Sequence, residues 1–346
     1  MKKLNKVVVL LVVAIFCMAA LIACAQKAKS AEKAGNQTEN SQQGTEQKKS
    51  VDGKINVVAT IFPEYDFLRQ IGGNHLNLTM LLTPGAESHS FEPTPQDIKE
   101  VTNSNLFVYV GGDSDAWVDS ILDSVDTKKT TIVTLMDCVT LKEEEVAEGM
   151  TPEKEDEAET ESGTEGGAKA PEYDEHVWTS PKNAVLIVQK LCDNLCKIDP
   201  SNAPDYKQNT KNYVAKLNEL DGQFQNIVDH AQRKEIVVGD RFPFRYFVDA
   251  YGLTYHAAFP GCSTDTEANA ATIAFLTDKV KKDKIPIVFH IELSNEKVCD
   301  SICEATGAKS ELLNAVHNVS KKDFEAGITY IDLMEHNVDV LKEALN

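Results

Sequence analysis

The sequence predicts an α/β protein of two lobes, each a parallel sheet flanked by helices, joined by one long rigid helix. Three observations carry this. Short apolar strands alternate with helical segments, the mark of a parallel sheet covered on both faces. The alternation breaks off after residue 142 and starts afresh at residue 235. Between the two runs, Ala203 to His230 carries one apolar stripe of Tyr206, Tyr213, Leu217, Leu220, Phe224, Ile227 and Ala231, spaced by sevens, fours and threes. That spacing predicts a helix of about 28 residues, roughly 42 Å long at 1.5 Å per residue. It is longer than the roughly 8–20 residues usual in globular proteins, too short for a coiled coil, and suited to spanning two lobes.

The chain opens on Lys2, Lys3 and Lys6, followed by an apolar run from Val7 to Ile22 that ends in Leu21-Ile22-Ala23-Cys24. A charged start, an apolar stretch and small residues before a cut are the features of a secretory signal. The Cys24 pattern resembles the lipobox of bacterial lipoproteins. Residues 1–24 are therefore expected to be a signal peptide with Cys24 lipidated, placing the protein on the extracytoplasmic face of the membrane. The alternative, an uncleaved span, is disfavoured because Cys24 sits where cleavage would leave it N-terminal. Residues 25–54 are Gln, Lys, Glu, Ser, Asn and Gly with few large apolar side chains. Such a segment cannot bury enough surface to offset its ordering entropy and reads as a disordered tether.

What remains is long enough for two domains of about 150 residues each. The formal net charge of −19 makes nucleic acid an unlikely partner and cations a natural one. Of eight cysteines, Cys17 would leave with the signal and Cys24 would be lipidated. Cys192/Cys196 and Cys299/Cys303 are i,i+4 pairs on predicted helices, which fits small buried apolar residues, so no disulfide is predicted.

The N-terminal lobe, residues 55–201, is expected to run strand Ile55–Ile61, helix from Pro63 to Gly72-Gly73, strand Leu76–Leu82 and helix Thr94–Thr102. Strand Leu106–Val110, a helix around Ala116–Leu122, strand Thr131–Leu135 and helix Pro181–Ile198 complete it. Residues 143–175 interrupt it with 14 acidic residues against two lysines and are read as a disordered acidic loop. Residues 202–233 form the linking helix. In the C-terminal lobe, 234–346, strands are expected at Glu235–Gly239, Thr254–Ala258, Pro286–Ile291 and around Ser310–Val316. Its helices are expected from about Phe244, over Thr266–Lys281 and Asn295–Ala305, and at Tyr330–Leu345.

In open α/β sheets ligands bind beyond the carboxyl ends of the strands. His89, Asp240 and His317 follow strands and His176 lies at the exit from the acidic loop, two of the four from each lobe. Glu292 and Cys262 also follow strands, and each is a further candidate metal ligand. His75, His230 and His336 read as solvated, and His256 and His290 lie inside strands.

These stretches, Val57–Tyr65, Gly85–Asp97 with His89, Glu175–Pro181 with His176, Tyr251-Gly252-Leu253 and Tyr330–Asn337, resemble the solute-binding lipoproteins of zinc and manganese ABC importers. The resemblance runs over nearly all of the chain from Val57 onward. It implies a metal receptor with no enzymatic activity, a divalent cation as ligand, and a membrane permease of an ABC transporter as partner. It also implies that His89 and His176 are ligands. Counted back from Tyr251-Gly252-Leu253, the family's third histidine falls on Arg241, which stays protonated and cannot coordinate. Asp240 beside it is the expected substitute, with Arg241 holding a carboxylate or a loop from behind. The family's fourth position, usually an acid, falls close to His317. A His3Asp set suits tetrahedral Zn²⁺; Mn²⁺, the alternative, prefers more oxygen ligands and would gain from Glu292. A surface adhesin is the interaction-class alternative. A metal-dependent hydrolase is the enzymatic one, but the chain has no HExxH and no Gly-x-Ser-x-Gly.

Overall fold

The computed structural model describes residues 53–123, 125–151, 172–263 and 267–346. The expected signal peptide, Cys24 and the tether through residue 52 lie outside the described residues. Two four-stranded sheets, all parallel, organise the rest. The first is built from β1 (Ile55–Ala59), α1 (Phe62–Gly72), β2 (Leu76–Met80), α2 (Pro95–Thr102), β3 (Leu106–Tyr109), α3 (Ala116–Leu122) and β4 (Thr131–Thr134). Helices α4 (Pro181–Ile198) and α5 (Ala203–Asp229) follow. The second sheet comes from β5 (Glu235–Arg241), α6 (Arg245–Tyr251), β6 (Thr254–Phe259), α7 (Ala270–Asp283), β7 (Ile287–His290), α8 (Lys297–Thr306) and β8 (Lys309–Leu312). Helices α9 (Lys321–Ala326) and α10 (Tyr330–Leu345) close the chain.

The strand orders are β2-β1-β3-β4 and β6-β5-β7-β8. Each sheet therefore reverses direction once, between β1 and β3 and between β5 and β7. Such switch points leave a crevice beyond the strand ends where loops diverge. Burial on both faces explains the strand composition: Val57, Val58 and Ala59 are all buried, as are Ile236, Val237 and Val238.

Helix α5 buries Tyr206, Thr210, Tyr213, Leu217, Leu220, Phe224, Ile227 and Val228, a stripe with steps of four and three. Its start serves the first lobe, where Tyr213 packs on Phe67 and Asn209 donates to the Ile71 carbonyl. Its end serves the second, where Phe224 meets Phe247 and Tyr251. Among the described residues no helix is long and apolar enough to cross a membrane.

Three differences from the sequence reading have local causes. The acidic segment is ordered at both ends. Glu143 pairs with Tyr173 in an antiparallel bridge, the Thr151 amide donates to the Ala258 carbonyl and Met150 is buried; residues 152–171 lie outside the described residues. Helix α7 begins at Ala270 rather than at 266, because the Asn269 side chain caps it by accepting from the Thr272 amide. Strand β8 ends at Leu312, not 316. The amides of Ala315 and His317 donate to the Glu292 carboxylate instead of a ladder, and Val316 adopts a φ of 65°, uncommon for a β-branched residue.

Candidate metal centre

His89 lies in the loop after β2, His176 just before a 3-10 turn leading to α4, and His317 in the loop after β8. The fold brings the three together. One ring nitrogen from each lies within 4.8 Å of the others, and this is the one such cluster of His, Cys, Asp or Glu among the described residues. Ring centroids stand 5.5 Å apart for His89–His176, 5.3 Å for His89–His317 and 4.9 Å for His176–His317. Trp178 packs edge-on against both His176 and His317.

The hydrogen bonding is the same at each ring. Nδ1 of His89 meets Ser114 Oγ at 2.8 Å, Nδ1 of His176 meets Asp174 Oδ1 at 3.1 Å, and Nδ1 of His317 meets Glu292 Oε1 at 3.1 Å. A carboxylate only accepts, so for His176 and His317 the proton sits on Nδ1 and the lone pair on Nε2. Ser114 Oγ can accept as well as donate, so it is compatible with the same tautomer at His89. The three Nε2 atoms are buried and have no hydrogen-bond partner. Buried polar atoms are nearly always satisfied, so three orphaned lone pairs beside one another mark a place for an electrophile. Oxygen partners behind each imidazole are what metal-ligating histidines require.

Electrostatics divide the three. Burial, then repulsion from His317, His176 and Arg241, holds His89 well below the usual histidine pKa. Burial also lowers His317, despite the hydrogen bond and charge of Glu292. At His176 burial pulls the pKa down, but Asp174, by charge and hydrogen bond, with Glu175 and Glu144 behind it, pushes it up to a net increase.

The loop carrying His317 is tied to the first lobe. Its carbonyl accepts from the Phe62 amide, Asn318 Nδ2 donates to the carbonyls of Thr83 and Ala86, and Trp178 Nε1 donates to the Ala315 carbonyl. Backbone approach is tight at Gly261, where a Cβ would stand 3.1 Å from both Asp174 Oδ2 and His176 Cε1.

Asp240 does not join the triad. Its Oδ1 accepts from the Arg241 amide, and it lines a neighbouring cavity of about 350 Å³. Arg241 reaches from β5 to Glu87, two residues before His89, with Nη1 2.8 Å from Oε1. Glu292 stands behind His317, accepting from its amide and Nδ1 and from the Ala315 amide. Cys262 is a free thiol whose amide donates to Glu144. Ser114, Asp174 and Glu292 as imidazole partners were not read from the sequence. Asp174, two residues before His176, is the one of these with a local signal.

Comparison with known proteins agrees with this architecture. Residues 57–344 match the family described as zinc-uptake complex component A, periplasmic. The chain is 32% identical over 296 residues to the zinc-binding lipoprotein AdcA of Streptococcus pneumoniae, covering 85% of this chain and 56% of that one. It thus spans about half the length of that relative. It is also 32% identical over 292 residues to the high-affinity zinc uptake system protein ZnuA of Bacillus subtilis, covering 84% of this chain and 88% of that one. The Zn(II)-bound ZnuA-like domain of S. pneumoniae AdcA superimposes with a TM-score of 0.68 at 29% identity, over 85% of this chain and 99% of that domain. With the family match covering most of its length, the chain belongs to the ZnuA family of zinc-uptake complex components.

Proposed function

We propose that this protein is an extracytoplasmic receptor that captures Zn²⁺ between its two lobes on His89, His176 and His317 and delivers it to the permease of an ABC importer. Lipidation of Cys24 would keep it beside that permease. The observation that carries the reading is the set of three buried Nε2 atoms without partners, each on a ring fixed from behind by an oxygen. Three imidazoles favour zinc over manganese, which seeks more oxygen donors. Zinc names and a zinc-bound structure among the relatives support the same choice. Glu292 and Asp240 serve here as neighbours of the site rather than as its ligands.

Isothermal titration of metal-free protein should find one zinc per chain and much weaker manganese binding. Proton release adds a sharper expectation. Zinc takes neutral imidazole, and His89 and His317 are shifted towards the neutral form whereas His176 is shifted towards the charged one. On acidification His176 charges first, so affinity falls as pH drops through its raised pKa with a slope of about one proton per zinc, not three. Titration in buffers of different ionisation enthalpy counts those protons. A release of two or three at mildly acidic pH would contradict the electrostatics given above, and no zinc uptake at any pH would end the receptor reading.

A further inference from the structure

Three adjoining spaces, linked by shared lining residues, run from the rim of the second sheet to the histidines. The outermost, about 350 Å³, lies against Asp240, Arg241, Glu87 and Glu296 on the rim of the second sheet. A narrow neck follows, which shares Glu87, Arg241 and Leu293 with the outer cavity. The neck in turn shares Ser88 and His317 with an inner space of about 20 Å³ bordered by His89. Arg241 and Glu87, which line both the outer cavity and the neck, form an ion pair whose partners are 14% and 39% exposed. Arg241 comes from the second lobe and Glu87 from the loop of the first, so the pair is a strut between lobes at the edge of the neck. Local backbone geometry aims it there. The β5 register shifts between Val238 and Arg241, and such irregularities re-aim side chains at sheet ends. Leu293, at the same neck, is held at a φ of 60° and is exposed.

The chemistry on the two sides differs. Outside, the carboxylates of Glu87, Asp240 and Glu296 outnumber the single guanidinium and favour a hydrated cation. Inside wait three buried Nε2 atoms with no partner. Arg241, which lines both the outer cavity and the neck beside His317, sets a positive charge between the two.

We infer that the Arg241–Glu87 ion pair is a gate that controls both entry of the cation from the acidic vestibule and its release from the histidine triad. The inference rests on the zinc-capture reading but concerns rates, whereas that reading concerns equilibrium affinity. The pair opens when Arg241 swings into the vestibule and closes when it returns to Glu87. A gate lowers the barrier in both directions when removed, so entry and exit change together and the dissociation constant changes little.

The test is stopped-flow capture of zinc alone by the purified full-length protein, with release followed by transfer to a fluorescent chelator, and equilibrium titration alongside. Arg241→Gln and Glu87→Gln should each speed capture and release by about fivefold, the scale of one partly exposed ion pair, with affinity held within about threefold. Arg241→Lys, which keeps the charge, should stay near the wild-type rates. Unchanged rates in both Gln variants overturn the gate. So does faster release with unchanged capture in Glu87→Gln alone, because Glu87 would then act on the ion itself. If the wild-type protein takes up no zinc at equilibrium, it is the capture reading that fails, and the titration shows this before any rate is compared.

Discussion

Replacing His317 by alanine is expected to weaken zinc binding by two to three orders of magnitude, while Asp240→Ala leaves it within about twofold. Structural zinc sites with four ligands are worth roughly 10–16 kcal/mol, or about 2.5–4 kcal/mol for each ligand lost, which is on the order of 10²–10³ in affinity. His317 supplies one of three converging Nε2 atoms, so its loss leaves two ligands and a wider gap. His89→Ala and His176→Ala should behave alike. Asp240, whose Oδ1 accepts from the Arg241 amide, adds no atom to that cluster. Competition against a chelator of known affinity measures both variants, and circular dichroism checks that each has folded. A loss at Asp240→Ala as large as at His317→Ala would mean that the cleft rearranges around the ion and recruits the carboxylate.

That contrast also shows where the sequence was informative. The two lobes were legible because each burial pattern is local: continuous apolar strands, then helices with one buried stripe, and in α5 a stripe long enough to serve both lobes. Element ends were less so. Leu313, Ala315 and Val316 look like a continued strand, yet they are buried in a loop because Glu292, more than twenty residues away, takes the amides a neighbouring strand would have bonded. His89, His176 and His317 could be picked out by their place after strands or beside the acidic segment, and they are the residues that converge. Asp240 met the same rule. It fails to converge because its carboxylate accepts from the next backbone amide and lines the neighbouring cavity, where the β5 register shifts. The pairing of Ser114 with His89 depends on two loops meeting in space, which no spacing along the chain announces.

Glu292 carries the second large effect, and its size depends on which role it plays. Burial alone would raise its pKa, but the hydrogen bond and charge of His317 and the Ala315 amide more than offset this, so the group stays ionised and purely accepting. Its oxygens take two backbone amides and one imidazole N–H. Glu292→Gln keeps the shape but turns one oxygen into a donor facing a donor. Losing the hydrogen-bond partner that holds a metal-bound histidine typically costs 10–100-fold in affinity, and that is the expected loss for zinc. The buried amide left unmatched should lower stability by about 1–3 kcal/mol as well, seen in the urea midpoint of the metal-free protein. The nitrogen spectrum of His317 gives an independent reading: protonated Nδ1 and bare Nε2 in the parent, mixed tautomers in the variant. Coupling decides between an orienting role and direct ligation. If Glu292 acts by holding His317, then Glu292→Gln placed on His317→Ala should cost almost no further zinc affinity, because the group it orients is gone. If Glu292 binds the ion directly, the two losses should add, and the double variant should lose zinc by their product.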